Sequence, residues 1–171
     1  MATHNLIQTV TVGAGGTAAI NFTSIPQTYT DLIVYVSGRY DNAVSFNAGA
    51  LRFNNDSGNN YSYRVLRGTG SAVDSFSGTT SYIEFGTNQG SGSTANIFGS
   101  HSAYIPNYTG STFKSVSMDQ VAENNAIETR MQLTSGLWSS TSAITLITIF
   151  PGGGYNWVQY SSASLYGISK T

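Results

Sequence analysis

The chain has 171 residues, enough to bury the core of one domain and too few for two independent folds. Only 9% of them are charged and the formal net charge is -1, so there is neither a basic field to hold nucleic acid nor an acidic tail to mimic it, and Ser, Thr, Asn, Gln and Gly must supply solubility. With no cysteine there are no disulfides, thiol nucleophiles or thiolate metal sites.

At the start of the chain, Met1 to Ile7 lacks the basic opening and continuous apolar run of a secretory signal. No stretch is apolar for long enough to span a bilayer. A protein made in a cytoplasm, with no membrane partner, is expected. Residues 1–12 read as an N-terminal arm or first strand, and residues 13–171 as one β-sandwich domain.

From there period-two alternation recurs, broken by turn residues, and no segment carries a helical stripe. Strands are predicted at Gln8–Val12, Ala18–Thr23, Leu32–Val36, Ala50–Asn54, Tyr61–Leu66, Ser81–Phe85, Ala95–Ile105, Thr112–Val121, Ile127–Leu133, Ala143–Phe150 and Ala163–Ile168. Leu32, Val34 and Val36 share one face. Ile127, Met131 and Leu133 share another, read as the core face, with Glu128, Arg130 and Gln132 turned to water. Ser142–Phe150, β-branched on both faces, reads as central in its sheet, and the polar Thr112–Val121 as an edge or subunit contact. So many short strands predict an all-β fold, a single antiparallel β-sandwich of jelly-roll-like form. Gly13–Gly16, Asn54–Asn60, Gly68–Gly78, Gly86–Ser93 and Pro151–Gly154 read as loops.

Tests for chemistry come out weak. His4 and His101 have no metal-ligand spacing, the carboxylates are scattered, and no nucleophile elbow is present, so no enzyme, metal or cofactor is expected. Asn54–Asn60 is oxygen-rich but has one carboxylate, which favours a turn over a calcium site. The aromatic load is high, with 11 Tyr and 2 Trp. Trp138 reads as a core anchor at a strand start, whereas Tyr155, Trp157 and Tyr160 are the candidates for an exposed platform that stacks on a glycan or a partner. Contacts between subunits should be apolar or through backbone hydrogen bonds. Arg39, Arg52, Arg64, Arg67 and Arg130 are the exceptions, any of which could pair with a carboxylate at a subunit boundary.

Thr23–Leu32, Leu51–Asn54 with Asn60–Tyr63, Ala103–Tyr108, Ser135–Trp138 and Ser164–Ile168 resemble segments of β-sandwich virion proteins of tailed bacteriophages, those of cyanophages and other aquatic phages among them. The resemblance runs from about Leu6 to Ile168 and brings no catalytic residues with it. It implies a virion structural protein, assembled in the host cytoplasm and released by lysis. The absence of a long attachment domain or shaft favours a capsid-surface decoration, or cement, protein, expected as a homotrimer bound to the major capsid protein or other virion proteins. On that reading the capsid contact lies in the N-terminal segment, at His4, Asn5, Leu6 and Ile7. The alternative is a tail fibre or receptor-binding adhesin domain, with host glycan held by the loops Gly68–Gly78, Gly86–Ser93 and Gly152–Tyr160.

Overall fold

The structure, a computed structural model, describes residues 3–125 and 128–169. Among them twelve strands are arranged in two antiparallel sheets that pack face to face. In chain order they are β1 (Thr3–Thr11), β2 (Ile20–Phe22), β3 (Asp31–Gly38), β4 (Phe46–Phe53), β5 (Tyr61–Gly68), β6 (Val73–Thr80), β7 (Ile83–Gln89), β8 (Gly99–Ile105), β9 (Lys114–Glu123), β10 (Thr129–Trp138), β11 (Ile147–Pro151) and β12 (Ser162–Ser169). The large sheet runs β1-β12-β3-β8-β9-β10-β5-β6 and the small one β2-β11-β4-β7.

Alternation explains most of this layout. Leu32, Val34 and Val36 of β3, Val116 and Met118 of β9, and Ala163 and Leu165 of β12 point inward against Phe22, Leu51, Phe53, Ile147 and Ile149 of the small sheet. Trp157, read as a candidate platform, instead lies fully buried between the sheets. Its ring meets Tyr40 edge-on at 4.8 Å, its indole N–H donates to the Ile149 carbonyl at 3.2 Å, and it fills the space that Gly38 leaves by having no side chain. Trp138 is also in the core, but it closes β10 rather than starting a strand.

The Asn54–Asn60 turn closes β4 onto β5 around the Asp56 carboxylate, which accepts from Trp138 Nε1 at 2.7 Å, from the Gly58 amide at 2.9 Å and from Asn60 Nδ2. The Trp138 hydrogen bond, ahead of the others, holds this carboxyl below its ordinary range.

Several sequence expectations need correction. Val73–Gly78, placed inside a loop, belongs to β6, an edge strand of the large sheet, paired with β5 along its whole length. Gly86–Gln89, also placed in a loop, completes β7, all seven residues of which are buried. β9, read as an edge or a subunit contact, is not an edge: it lies well inside the large sheet, between β8 and β10. Within Ser142–Phe150, only the part from Ile147 on is strand, and it does lie inside its sheet between β2 and β4. Thr3–Thr11 is a paired strand with a bulge at Leu6/Gln8, so removing residues 1–12 would strip the neighbour from β12.

Candidate functional site

The sheet is inverted at one corner. On β10, Gln132 and Thr134 are buried while Met131 and Leu133 are 62% and 59% exposed. Polar residues were expected to face water and apolar ones the core; the structure has the reverse. Ile127, assigned to the same apolar face, lies outside the described residues.

The cause of the inward polar row is β7. It is a free edge of the small sheet, it is buried throughout, and apart from the Gln89 carbonyl, which accepts from the Tyr40 amide at 2.8 Å, its carbonyls on that edge have no strand to pair with. Buried backbone groups of this kind need partners. Three cross-strand neighbours of the large sheet, His101, Gln120 and Gln132, stand in register beneath it. His101 Nδ1 donates to the Phe85 carbonyl at 3.2 Å and Gln120 Nε2 to the Thr87 carbonyl at 2.6 Å, so two side chains do the work of a missing strand. Gln89 Nε2 returns a bond to the Glu123 carbonyl at 2.9 Å. Gly86, at φ +87, is where β7 bulges past Gln120, and any side chain there would collide with that residue.

Burial pushes the His101 ring down to about 4, with the Phe85 bond opposing, so the imidazole is neutral near pH 7. Its Nδ1 must donate to a carbonyl, which leaves Nε2 to accept. The structure places Asn88 Oδ1 2.8 Å from Nε2 and Asn88 Nδ2 2.9 Å from the Tyr40 hydroxyl. An amide oxygen against Nε2 would demand the imidazolium, so a neutral ring turns the amide nitrogen toward His101 and its oxygen toward the Tyr40 O–H. Glu84, on the same strand and 7% exposed, is pushed up to about 7 by burial, with Arg67 pulling weakly the other way. His101 is enclosed and stacked on the Phe85 ring, and among the described residues there is no group of three or more His, Cys, Asp or Glu that could hold a metal ion.

The outer face of the same corner carries the exposed apolar residues. Met131 stands opposite Val121 on one side and Gly68 on the other, and Gly68 opposite Val73. In the next row Leu133 stands between Asp119 and Leu66. Leu66, Val73, Val121, Met131 and Leu133 are therefore contiguous, and each is 47–74% exposed. Gly68, with no side chain, leaves a shallow dip at their centre, part of a hollow of about 440 Å³. The charges Arg64 and Asp119 stand at opposite rims, both exposed, while Arg67 is taken by Asp74 at 2.7 Å in the one ion pair among the described residues. The other half of this outer face is different in kind: Tyr35, Tyr104 and Tyr166 stand there, and the Tyr104 hydroxyl donates to the Asp31 carboxylate at 2.9 Å.

The expected site residues do not converge. Tyr155 is exposed beside a hollow of about 420 Å³ that Arg52, Thr148 and Phe150 also line, with the Arg52 guanidinium 4.9 Å over the Phe150 ring. Trp157 is core, and Tyr160, 70% exposed, lines no part of that hollow. His4, Asn5 and Leu6 are exposed on β1 and Ile7 is half-buried. Of the remaining arginines, Arg39 pins the Ser93–Ile97 loop through three carbonyls, and Arg130 lies over the Phe46 ring at 4.9 Å.

The five-residue apolar face was missed because apolar residues on an alternating strand were assigned to the core by default. Only the in-register polar row behind it could have signalled the inversion. No protein-family model and no curated protein matches the chain.

Proposed function

We propose that the protein is a non-catalytic assembly module of a bacteriophage virion, a capsid-surface decoration protein that stabilises the shell. The observation that carries the assembly reading is the uncovered apolar face of Leu66, Val73, Val121, Met131 and Leu133. A chain with so few charges gains contact energy chiefly by covering such a surface. The virion setting rests on the sequence resemblance to phage sandwich proteins. The strand order supports a jelly-roll reading. β2-β11-β4-β7 and β3…β5-β6 interleave as two Greek keys do, with the meander β8-β9-β10 where a jelly roll has one strand. Binding the assembled shell and not its free subunits would add free energy to the assembled state.

The test is the copy number in purified particles against the major capsid protein. A ratio within several-fold of unity is expected; a few copies per particle would move the domain to the tail, and absence would overturn the virion setting.

The adhesin reading has one observation in its favour, the hollow where Tyr155 stands exposed beside Arg52 and Thr148. An aromatic face with polar neighbours suits a sugar ring. On that reading Tyr155→Ala abolishes binding to host-surface glycan while leaving the fold intact.

A further inference from the structure

We infer that the apolar face on β5, β6, β9 and β10 is covered by the same face of a second copy of this chain, related by a two-fold axis. The inference rests on the assembly reading and specifies its partner.

Three observations point to a second copy. The first is area. The exposed fractions of Leu66, Val73, Val121, Met131 and Leu133 amount to about 500 Å² of mainly aliphatic surface, some two thirds of the ~800 Å² that each partner contributes to a stable interface. Ser75, Ser117 and Ser135 surround it and, with Gly68 at its centre, supply more neutral area without bulk.

The second is charge. Arg64 lies on β5 and Asp119 on β9, on either side of β10 and one side-chain row apart; Asp119 accepts a hydrogen bond from the Ser102 hydroxyl, and among the described residues neither forms an ion pair. A two-fold axis through Leu133, parallel to β10, lays β5 of one copy over β9 of the other. It brings Arg64 within one pleat, about 7 Å along the strand, of Asp119 of the second copy, twice by symmetry. A partner of another kind would have no reason to match both rims at once.

The third is shape. The face is a pleated sheet in which large and small side chains are interspersed: Met131 beside Gly68, Leu66 beside Ser75, Ser135 beyond Leu133. Two such faces interdigitate as the inner faces of a sandwich do, at a small angle set by sheet twist. This gives a dimer rather than the expected homotrimer.

The experiment is sedimentation velocity of the full chain from about 1 to 200 µM, with circular dichroism as the folding control. A reversible dimer is expected. Met131→Glu with Leu133→Glu should weaken it by about 100-fold or more, as the loss of two buried side chains implies, at an unchanged melting curve in dilute solution. Arg64→Glu should weaken it less, and Asp119→Arg added to Arg64→Glu should restore it. Because the glutamate pair places new charges on the face, Leu133→Ser provides a milder variant that keeps the fold and should still shift the equilibrium. A wild-type monomer across the range, a trimer, or a dimer indifferent to both Met131→Glu/Leu133→Glu and Leu133→Ser would each overturn the inference. Incorporation of the same variants into particles separates the two levels: a monomeric wild type whose face variants are still excluded from particles would sink the two-fold dimer and leave the assembly reading standing.

Discussion

The two sides of the large sheet at β9 and β10 differ as if they had been exchanged. Behind β7 the sheet buries His101, Gln120, Gln132 and Thr134; on the outside it presents Val121, Met131, Leu133 and Leu66. At β3, at β12 and at the end of β8 the sheet follows the usual rule, with Val34, Leu165 and Ile105 inside and Tyr35 outside. The difference shows what a buried edge strand demands: side chains beneath β7 must bond its carbonyls, and aliphatic residues cannot. It also shows that the outer residues are not an overflow of the core, since the core behind them is polar. They need a separate reason, and an interface supplies one.

The largest effect that sharpens this comparison lies in its buried half and depends on pH. Glu84 has its folded value raised from about 4.5 to about 7, so its cost to stability is absent below pH 4.5, grows as pH rises, and is complete above 7. At 1.36 kcal/mol per unit that cost reaches about 3 kcal/mol, and Glu84→Gln should recover it at pH 8 in a urea titration. His101 acts in the opposite sense. Its folded value is lowered from 6.5 to about 4, so stability is lost as pH falls through that window. Between pH 4.5 and 6.5 the two slopes cancel, and these groups leave the wild type flat to within about 1 kcal/mol. In Glu84→Gln the histidine acts alone, and stability should fall by about 3 kcal/mol from pH 7 to 4. A flat profile in that variant would mean that His101 is not enclosed as described.

Next in size is Gln120→Leu, which keeps the volume but leaves the Thr87 carbonyl buried without its donor. A loss of about 1–3 kcal/mol is expected from the denaturation midpoint. Smallest is Leu133→Ser on the outer side of the adjacent strand: in dilute solution it should change stability by no more than about 0.5 kcal/mol, although leucine is the more apolar residue. A buried leucine at this position would instead cost several kcal/mol and return β10 to the ordinary orientation.

Much of the fold was legible in alternation alone. β3, β5, β8, β9 and β12 follow their apolar residues, and the two-sheet arrangement follows from the number of strands. β6 was not legible, because Val73-Asp-Ser-Phe-Ser-Gly-Thr-Thr is rich in turn residues and acquires its strand from pairing with β5. The second half of β7 was hidden because Thr87, Asn88 and Gln89 look solvent-facing until the side chains that satisfy them are known. Trp157 was misplaced for a related reason: the space it fills is made by Gly38, more than a hundred residues earlier. Period-two alternation tells which residues share a face but not which face is covered, and at β10 only contacts distant in sequence decide that.

The most direct test of the inversion uses the absence of cysteine from the chain. Met131→Cys and Gln132→Cys differ by one residue on one strand, and each introduces a single thiol whose labelling rate reports its exposure. The expected result is rapid labelling of the Met131→Cys variant in dilute solution, slowing as concentration rises and the face is covered, with labelling of Gln132→Cys slow at every concentration. Fast labelling of Gln132→Cys together with protection of Met131→Cys in dilute solution would contradict the account, because it would put the apolar residues of β10 in the core and the polar ones in water.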